Sequence, residues 1–179
     1  MKPIQWGPFI WYLIHSVAYY SNDEYFQSNN NIYFLFYNSL RKLIPCPICR
    51  SHFNKLMNNN DIYNCKTSNE LIQWTINKHN NVNKRLHKTR LTRDKVDNIY
   101  KNIDLNKVIK GIDIIIFNIQ YKLHLTEYIV FLNTLKKIFP EERIRLKMCK
   151  AIDNNKVRLR KQSDIIKWYI DIGNYIRSH

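Results

Sequence analysis

Glycine is scarce, with three residues in 179, and proline is little commoner at five. Turn-rich β architectures, dinucleotide fingerprints and phosphate loops need glycine where φ is positive or where backbone approaches a ligand, so this scarcity argues against all three. Four cysteines are too few for a disulfide scaffold. No charged start leads into an apolar run with a small-residue cleavage site, so no signal peptide is expected. The longest apolar stretch, IDIIIFNI at 112–119, is broken by Asp113 and Asn118 and is too short to span a bilayer. The expectation is a soluble, intracellular chain, in which a CxxC is more often redox-active or metal-binding than a passive staple.

Acidic residues are also few, 14 against 29 Lys and Arg, for a net charge of +15. Such an excess suggests nucleic acid as a partner, because cations that neutralise phosphates supply most non-specific affinity. The charge is uneven: residues 1–83 hold 7 basic and 4 acidic side chains, and residues 84–179 hold 22 and 10. What is abundant is apolar and aromatic surface, at 45% and 13% of residues, enough to bury a core.

Apolar residues recur at helical spacing. Residues 4–20 predict an amphipathic helix after a Gly7-Pro8 start, through Phe9, Trp11, Leu13, Ile14, Val17 and Tyr20. The polar run SNDEYFQSNNN reads as a loop, and 32–44 as a second helix ended by Pro45, since the residue before proline is pushed out of the α region. A third helix starts at the cysteines and runs to Leu56 or Met57, where Asn58-Asn59-Asn60-Asp61 interrupts it. Thr67-Ser68-Asn69-Glu70 opens a helix to about Leu86, and Thr92 or Asp94 caps a short one through Tyr100. Further helices are expected at about 105–124, 126–138 capped by Thr126, 140–152 opened by Pro140, and 164–177 capped by Ser163. With no period-2 signal, the fold class is all-α.

The sharpest motif is Cys46-Pro47-Ile48-Cys49, followed by Arg50 and His52. Two cysteines across a helix start can close a reducible disulfide, and the helix dipole with nearby cations favours thiolate, which suits thiol exchange. Zinc is the competing reading, with Cys46, Cys49, Cys65 and His52 or His79 as ligands, although no second CxxC or HxxxH accompanies them. Plain core thiols are a third. A thioredoxin-like setting would need a strand before the motif, and none is present. Around it stand Trp11 and His15, four apart, then Trp74 and His79, five apart, followed by Asn80, Asn83 and Lys84-Arg85. Aromatic faces, imidazoles, amides and cations are what a flavin dinucleotide needs for its rings and pyrophosphate.

Together these pieces resemble the Erv/ALR FAD-linked sulfhydryl oxidases, especially the short members of large DNA viruses. The matching segments are Trp6-Gly7-Pro8-x-x-Trp11-x-x-x-His15, Cys46-Pro-Ile-Cys49-Arg-Ser-His52-Phe53, and Trp74 through His79-Asn80-Asn81-Val82-Asn83-Lys84-Arg85-Leu86-x-Lys88. Val96-Asp97-Asn98-Ile99-Tyr100 resembles the family's Val-Asp-x-x-Trp segment, with Tyr100 in place of the aromatic over the cofactor. The resemblance covers residues 4 to about 100. It implies a four-helix bundle with a short fifth helix holding FAD, in a domain at 1–100 followed by a basic helical region at 101–179.

The resemblance further implies FAD lined by Gly7, Trp11, His15, His52, Trp74, His79, Asn80, Asn83, Arg85, Lys88 and Tyr100. Cys46 would be the interchange thiol and Cys49 the flavin-proximal one. Reduced protein thiols would be the substrates and oxygen the acceptor, giving hydrogen peroxide. A homodimer, acting in host cytoplasm or virion, is implied as well. The structural cysteine pair of cellular members is absent, its places taken by Ile76 and Arg93, and so is the tail shuttle.

Cys65 and Cys149 are left as a relay pair, a structural disulfide, dimer partners or free thiols, with Lys66 beside Cys65 favouring its reactivity. Beyond residue 100, apolar positions from Val108 through Ile112, Ile116, Ile119, Leu123, Leu132 and Leu135 to Trp168 suggest a second helical layer. Basic clusters at 136–137, 143–150 and 156–161 read as a solvated face, an acidic partner's surface or a nucleic-acid site. The competing function is a zinc-stabilised basic module.

Overall fold

The computed structural model describes residues 2–57, 61–117, 124–154 and 162–178. Among these the chain is all-α, with nine helices and a single turn of 3-10 helix at Asp61–Asn64. The helices are α1 (Pro3–Tyr19), α2 (Asp23–Leu43), α3 (Pro47–Met57), α4 (Ser68–Arg85), α5 (Arg93–Tyr100), α6 (Leu105–Phe117), α7 (Leu125–Ile138), α8 (Glu142–Asn154) and α9 (Gln162–Ser178).

Helix α1 starts earlier than Gly7-Pro8 would suggest. Pro3 takes the first helical position, where its missing N–H is no loss, and the Lys2 N–H is met by Gln5 Oε1 at 3.0 Å. Pro8 is then accommodated inside the helix at the expense of one backbone bond. The larger difference is α2, because the polar run expected as a loop is its first half. Asn22 caps it by accepting from the Tyr25 N–H, and Asp23 and Glu24 sit at the positive end of the dipole. The expected break survives as a kink at Asn29 (φ −134°, ψ 24°), whose side chain donates to the Tyr25 carbonyl. Thr67 and Glu70 form the capping box of α4, and Thr92 caps α5. No side-chain cap bond is made at the start of α7, where His124 rather than Thr126 holds the cap position.

Helices α1–α4, with α5 across them, form the bundle that carries the CxxC. A second layer covers one side: α6 lies along α1, α7 along α2, and α8 and α9 complete it. One apolar cluster runs through both layers, from Trp6 and Leu13 through Phe36 and Leu40 to Phe131, Leu135 and Trp168. Each fully buried side chain such as Leu13, Leu40 or Phe131 contributes about 1.5–3 kcal/mol relative to exposure. The α1–α6 approach depends on Gly111: a Cβ there would lie 2.6 Å from the Phe9 carbonyl oxygen and 3.1 Å from Leu13 Cβ. Ile119, Leu123, the tract 58–60 and the basic cluster at 156–161 lie outside the described residues.

Where the cellular members carry a cysteine pair, Ile76 is buried and Arg93 reaches across from α5 to the start of α4. Its guanidinium donates to Asn69 Oδ1 at 3.0 Å and pairs with Asp97 at 2.8 Å. Polar contacts thus join these two elements without a covalent link.

Candidate functional site

Pro45 stops α2 and lets the chain turn directly into α3, which puts Cys46 at the cap of that helix. Arg50 N–H makes the first helical bond to the Cys46 carbonyl, and Cys49 N–H points at Cys46 Sγ at 3.2 Å. That sulfur occupies the acceptor position of an N-cap, where backbone N–H groups stabilise an anionic sulfur. Cys46 and Cys49 are joined as a disulfide, and both are half-buried. Cys49 and Phe53, four residues apart, share the inward face of α3, and the Phe53 ring meets Trp11 edge-on at 6.5 Å. Ile48, His52 and Lys55 share the outward face.

Behind Phe53 lies an aromatic and imidazole cluster built by α1 and α4. Trp11 stacks flat on His79, with centroids 4.0 Å apart and planes 3° from parallel. His15 is buried; its Nδ1 is 2.9 Å from Thr75 Oγ1 and its Nε2 2.9 Å from His79 Nδ1. The Thr75 hydroxyl donates to the Ile72 carbonyl, so its oxygen accepts from His15 Nδ1–H. A neutral His15 must then accept at Nε2 from His79 Nδ1–H, which leaves His79 Nε2 as the acceptor of the chain. Burial keeps both rings neutral: it drives His15 down to about 3, aided by His79, and His79 down to about 4, aided by Lys88. Tyr100 closes the cluster from α5, packed on His15, Tyr12 and Tyr19, and burial raises its phenol well above the usual range.

At the end of α4 the helix finishes in a Schellman turn. His87 adopts φ 52°, Lys88 N–H bonds to the Asn83 carbonyl, and His87 N–H to that of Lys84. The following loop is pinned by the helix's own amides. Asn80 donates to the Leu91 carbonyl and accepts from the Leu91 N–H, both at 2.8 Å, while Asn83 donates to the Thr89 carbonyl. The result is a cleft of about 570 Å³ lined by Asn77, Asn80, Asn81, Asn83, Lys84, Lys88 and Arg90. Arg85, beside it, contacts His52 Nδ1 and so ties this basic end to the CxxC helix.

The family model for Erv1/Alr matches residues 9–101, just over half of the chain, and takes in every residue of this site but Gly7. The chain belongs to the Erv1/Alr family. An African swine fever virus protein named FAD-linked sulfhydryl oxidase (isolate Tick/Malawi/Lil 20-1/1983) is 29% identical over 108 residues, 60% of this chain and 90% of its own length. Relatives whose names include the same words come from Acanthamoeba polyphaga mimivirus, 33% identical over 96 residues (51% and 66% of the two chains), and from Frog virus 3, 32% over 101 residues (55% and 67%). No solved structure matches the chain at a comparable level.

Within this Erv1/Alr chain the expected residues fall into three groups. Trp11, His15, His79 and Tyr100 converge, Lys88 lies close enough to His79 to act on its charge, and His52 and Arg85 meet each other between α3 and α4. Asn80 and Asn83 are nearby, but their amides hold the basic loop. Trp74 faces elsewhere: its indole N–H donates to Asp61 Oδ1 at 2.7 Å, and its ring packs on Tyr37 beneath the Lys78 ammonium. Lys78 is itself buried, donating to Asp61 at 2.8 Å and to the Leu56 carbonyl. Burial pushes the Asp61 carboxyl up, and the Lys78 and Trp74 bonds outweigh that and hold it below the usual range. Gly7 lies where a Cβ would meet nothing within 4 Å, so its side of α1 is open.

Spacing did not single out Tyr12, Phe53, Thr75 or Arg90. Thr75 could have been found, because it precedes His79 by four residues on the same face of α4. Cys65 and Cys149 are not joined to each other. Lys66 does not activate Cys65: burial, with Glu70 and Asp61, pushes that thiol up to about 11. Cys149 donates to the Lys136 carbonyl. The zinc reading loses its ligand set, since two of its thiols are bonded to each other, and among the described residues no three His, Cys, Asp or Glu side chains converge.

Proposed function

We propose that the protein is an FAD-linked thiol oxidase that introduces disulfides into protein substrates through Cys46 and Cys49. The observation that carries this is the placement of a disulfide at the start of α3, with Cys49 on the same face as Phe53, whose ring meets Trp11 of the Trp11–His79 stack. The donor set fits FAD: flat aromatic faces, imidazoles held neutral by burial, an open flank at Gly7, and lysines and an arginine where a diphosphate needs cations. Trp11, His15, His79 and Tyr100 would hold the rings, and Lys84, Lys88 and Arg90, with His52 and Arg85 alongside, the phosphates. Asn80 and Asn83 position that loop, and Trp74 braces α4 from behind.

FAD held there would supply a two-electron acceptor for the reduced cysteine pair, with oxygen as the final acceptor and hydrogen peroxide as the product. The chain's own part is thiol exchange. A substrate thiolate attacks Cys46 Sγ, the more accessible end by the family resemblance, and Cys49 leaves as the thiol on the inner face of α3. A second substrate thiol then displaces Cys46, whose anionic sulfur is met by the Cys49 N–H. The buried, neutral His15–His79 pair fixes one wall of the site that would hold the cofactor.

A homodimer, implied by the family resemblance, is part of the proposal. The relatives are viral, which supports action in host cytoplasm or virion, and no helix among the described residues is long and apolar enough to cross a membrane. The purified protein should be yellow and consume oxygen with dithiothreitol, and Cys46→Ser and Cys49→Ser should each abolish uptake. A colourless preparation, or activity surviving in either variant, overturns the reading.

A further inference from the structure

The segments that carry the disulfide and pack beside it hold exposed charge of one sign. Residues 25–60, which hold most of α2 and all of α3, contain no Asp or Glu, and neither do residues 71–93, which hold most of α4 and the basic loop. The same stretches contribute Arg41, Lys42, Arg50, Lys55, Lys84, Arg85, Lys88, Arg90 and Arg93 to the surface. Lys78 is buried against the Asp61 carboxylate, and Arg93 pairs with Asp97 on the surface. Among the described residues Lys42, Arg50, Lys55 and Arg85 form no salt bridge. One diphosphate in the cleft would neutralise the Lys84–Arg90 side and leave the α2–α3 side uncompensated.

That uncompensated side is where a substrate must arrive. Arg50 bends back to the Lys42 carbonyl at 3.4 Å, which keeps two cations at the α2–α3 corner beside Cys46. Along the outward face of α3, Ile48 stands 70% exposed between the two cysteines, followed by His52 with Arg85 and then by Lys55. A peptide reaching Cys46 along this face therefore crosses an apolar side chain and then cations, with the Asp61 carboxylate beyond the end of α3 already paired with Lys78. Acidic segments are drawn to such a rim and basic ones are repelled, with the largest effect on encounter rate.

We infer that this rim selects, as substrates, protein dithiols flanked by acidic residues, with Lys42 and Lys55 as specificity determinants outside the catalytic machinery. The inference rests on the thiol-oxidase reading and names its substrate class. The exchange is balanced within the pair: the substrate's two thiols lose two electrons and two protons as its disulfide forms, and the Cys46–Cys49 bond breaks to give two thiols.

The test compares three reductants of the holoprotein by oxygen uptake: neutral dithiothreitol, and two peptides sharing one Cys-x-x-Cys core, flanked by three Glu or three Lys on each side. At about 50 mM salt, kcat/KM for the acidic peptide should exceed that for the basic one about tenfold, and the ratio should shrink several-fold at about 200 mM. The Lys42→Glu/Lys55→Glu variant should lose most of this preference while oxidising dithiothreitol at the wild-type rate. Equal turnover of the two peptides, or a preference unchanged in the variant, with dithiothreitol still oxidised, overturns the inference alone. Failure to oxidise dithiothreitol overturns the thiol-oxidase reading beneath it.

Discussion

The His15–His79 pair makes stability acid-sensitive in a defined window. In the unfolded chain a histidine titrates near pH 6.5, whereas in the folded bundle burial holds the two rings down to about 3 and about 4. A histidine whose folded pKa is depressed contributes stability above the unfolded pKa and loses it as pH falls. At pH 5 the unfolded state therefore carries nearly two more protons than the native one. The loss is about 2 kcal/mol for each ring relative to pH 7.5, so about 4 kcal/mol together. This is a large share of a stability of about 5–15 kcal/mol. The carboxylates held low, Asp23, Asp61 and Asp104, act only below their usual range near pH 4, outside this window. Urea unfolding of the flavin-stripped full chain at pH 5, 6, 7 and 8, followed by far-ultraviolet circular dichroism, should show midpoints falling steadily below pH 6.5. A His15→Asn/His79→Gln chain should flatten the profile. A flat wild-type profile between pH 7.5 and 5 would refute the buried neutral pair.

Gly111→Ala should destabilise by about 1–3 kcal/mol through overpacking on the Phe9 carbonyl, against the roughly 1 kcal/mol that alanine gains within a helix; a raised melting temperature would show that α1 and α6 are not in this contact. Asp61→Ala should cost about 2 kcal/mol, since it strands the buried Lys78 ammonium and the Trp74 N–H together, and Asp61→Asn should recover part of that in the same denaturation assay. His87→Gly should stabilise by about 1 kcal/mol because it relieves a left-handed residue that carries a Cβ. Cys65→Ala and Cys149→Ala should both leave oxygen uptake with a reduced protein substrate unchanged, and a loss in either would restore the relay reading.

Local signals in the chain were the legible ones. Thr67 and Glu70 announce α4 because a capping box is complete within four residues, and Pro45 marks the end of α2 for an equally local reason. The first half of α2 was not legible, since an asparagine-rich run has weak helix propensity and its helicity rests on the Asn22 cap and on burial of Phe26 and Tyr33. At the site, spacing identified Trp11, His15 and His79 but could not say which side of α4 faces α1. Trp74 lies about 140° around the helix from His79, enough to put it on the Asp61–Lys78 network. The amides of Asn80 and Asn83 look like ligands in one dimension, yet the Leu86–Thr92 loop folds back onto them. The Arg93–Asn69 link follows from tertiary contact alone.

The seating of α6 on α1 bears on how the protein is made. The Phe9 carbonyl waits for Gly111, about 100 residues later in the chain. At about 5–20 residues per second, α1 and α2 emerge from the ribosome some 5–20 s before the helices that cover them. During that interval the apolar flank of the redox bundle is exposed next to two reactive cysteines. The second layer therefore acts as a timer: native packing of this flank of α1 and α2 must await the later half of synthesis.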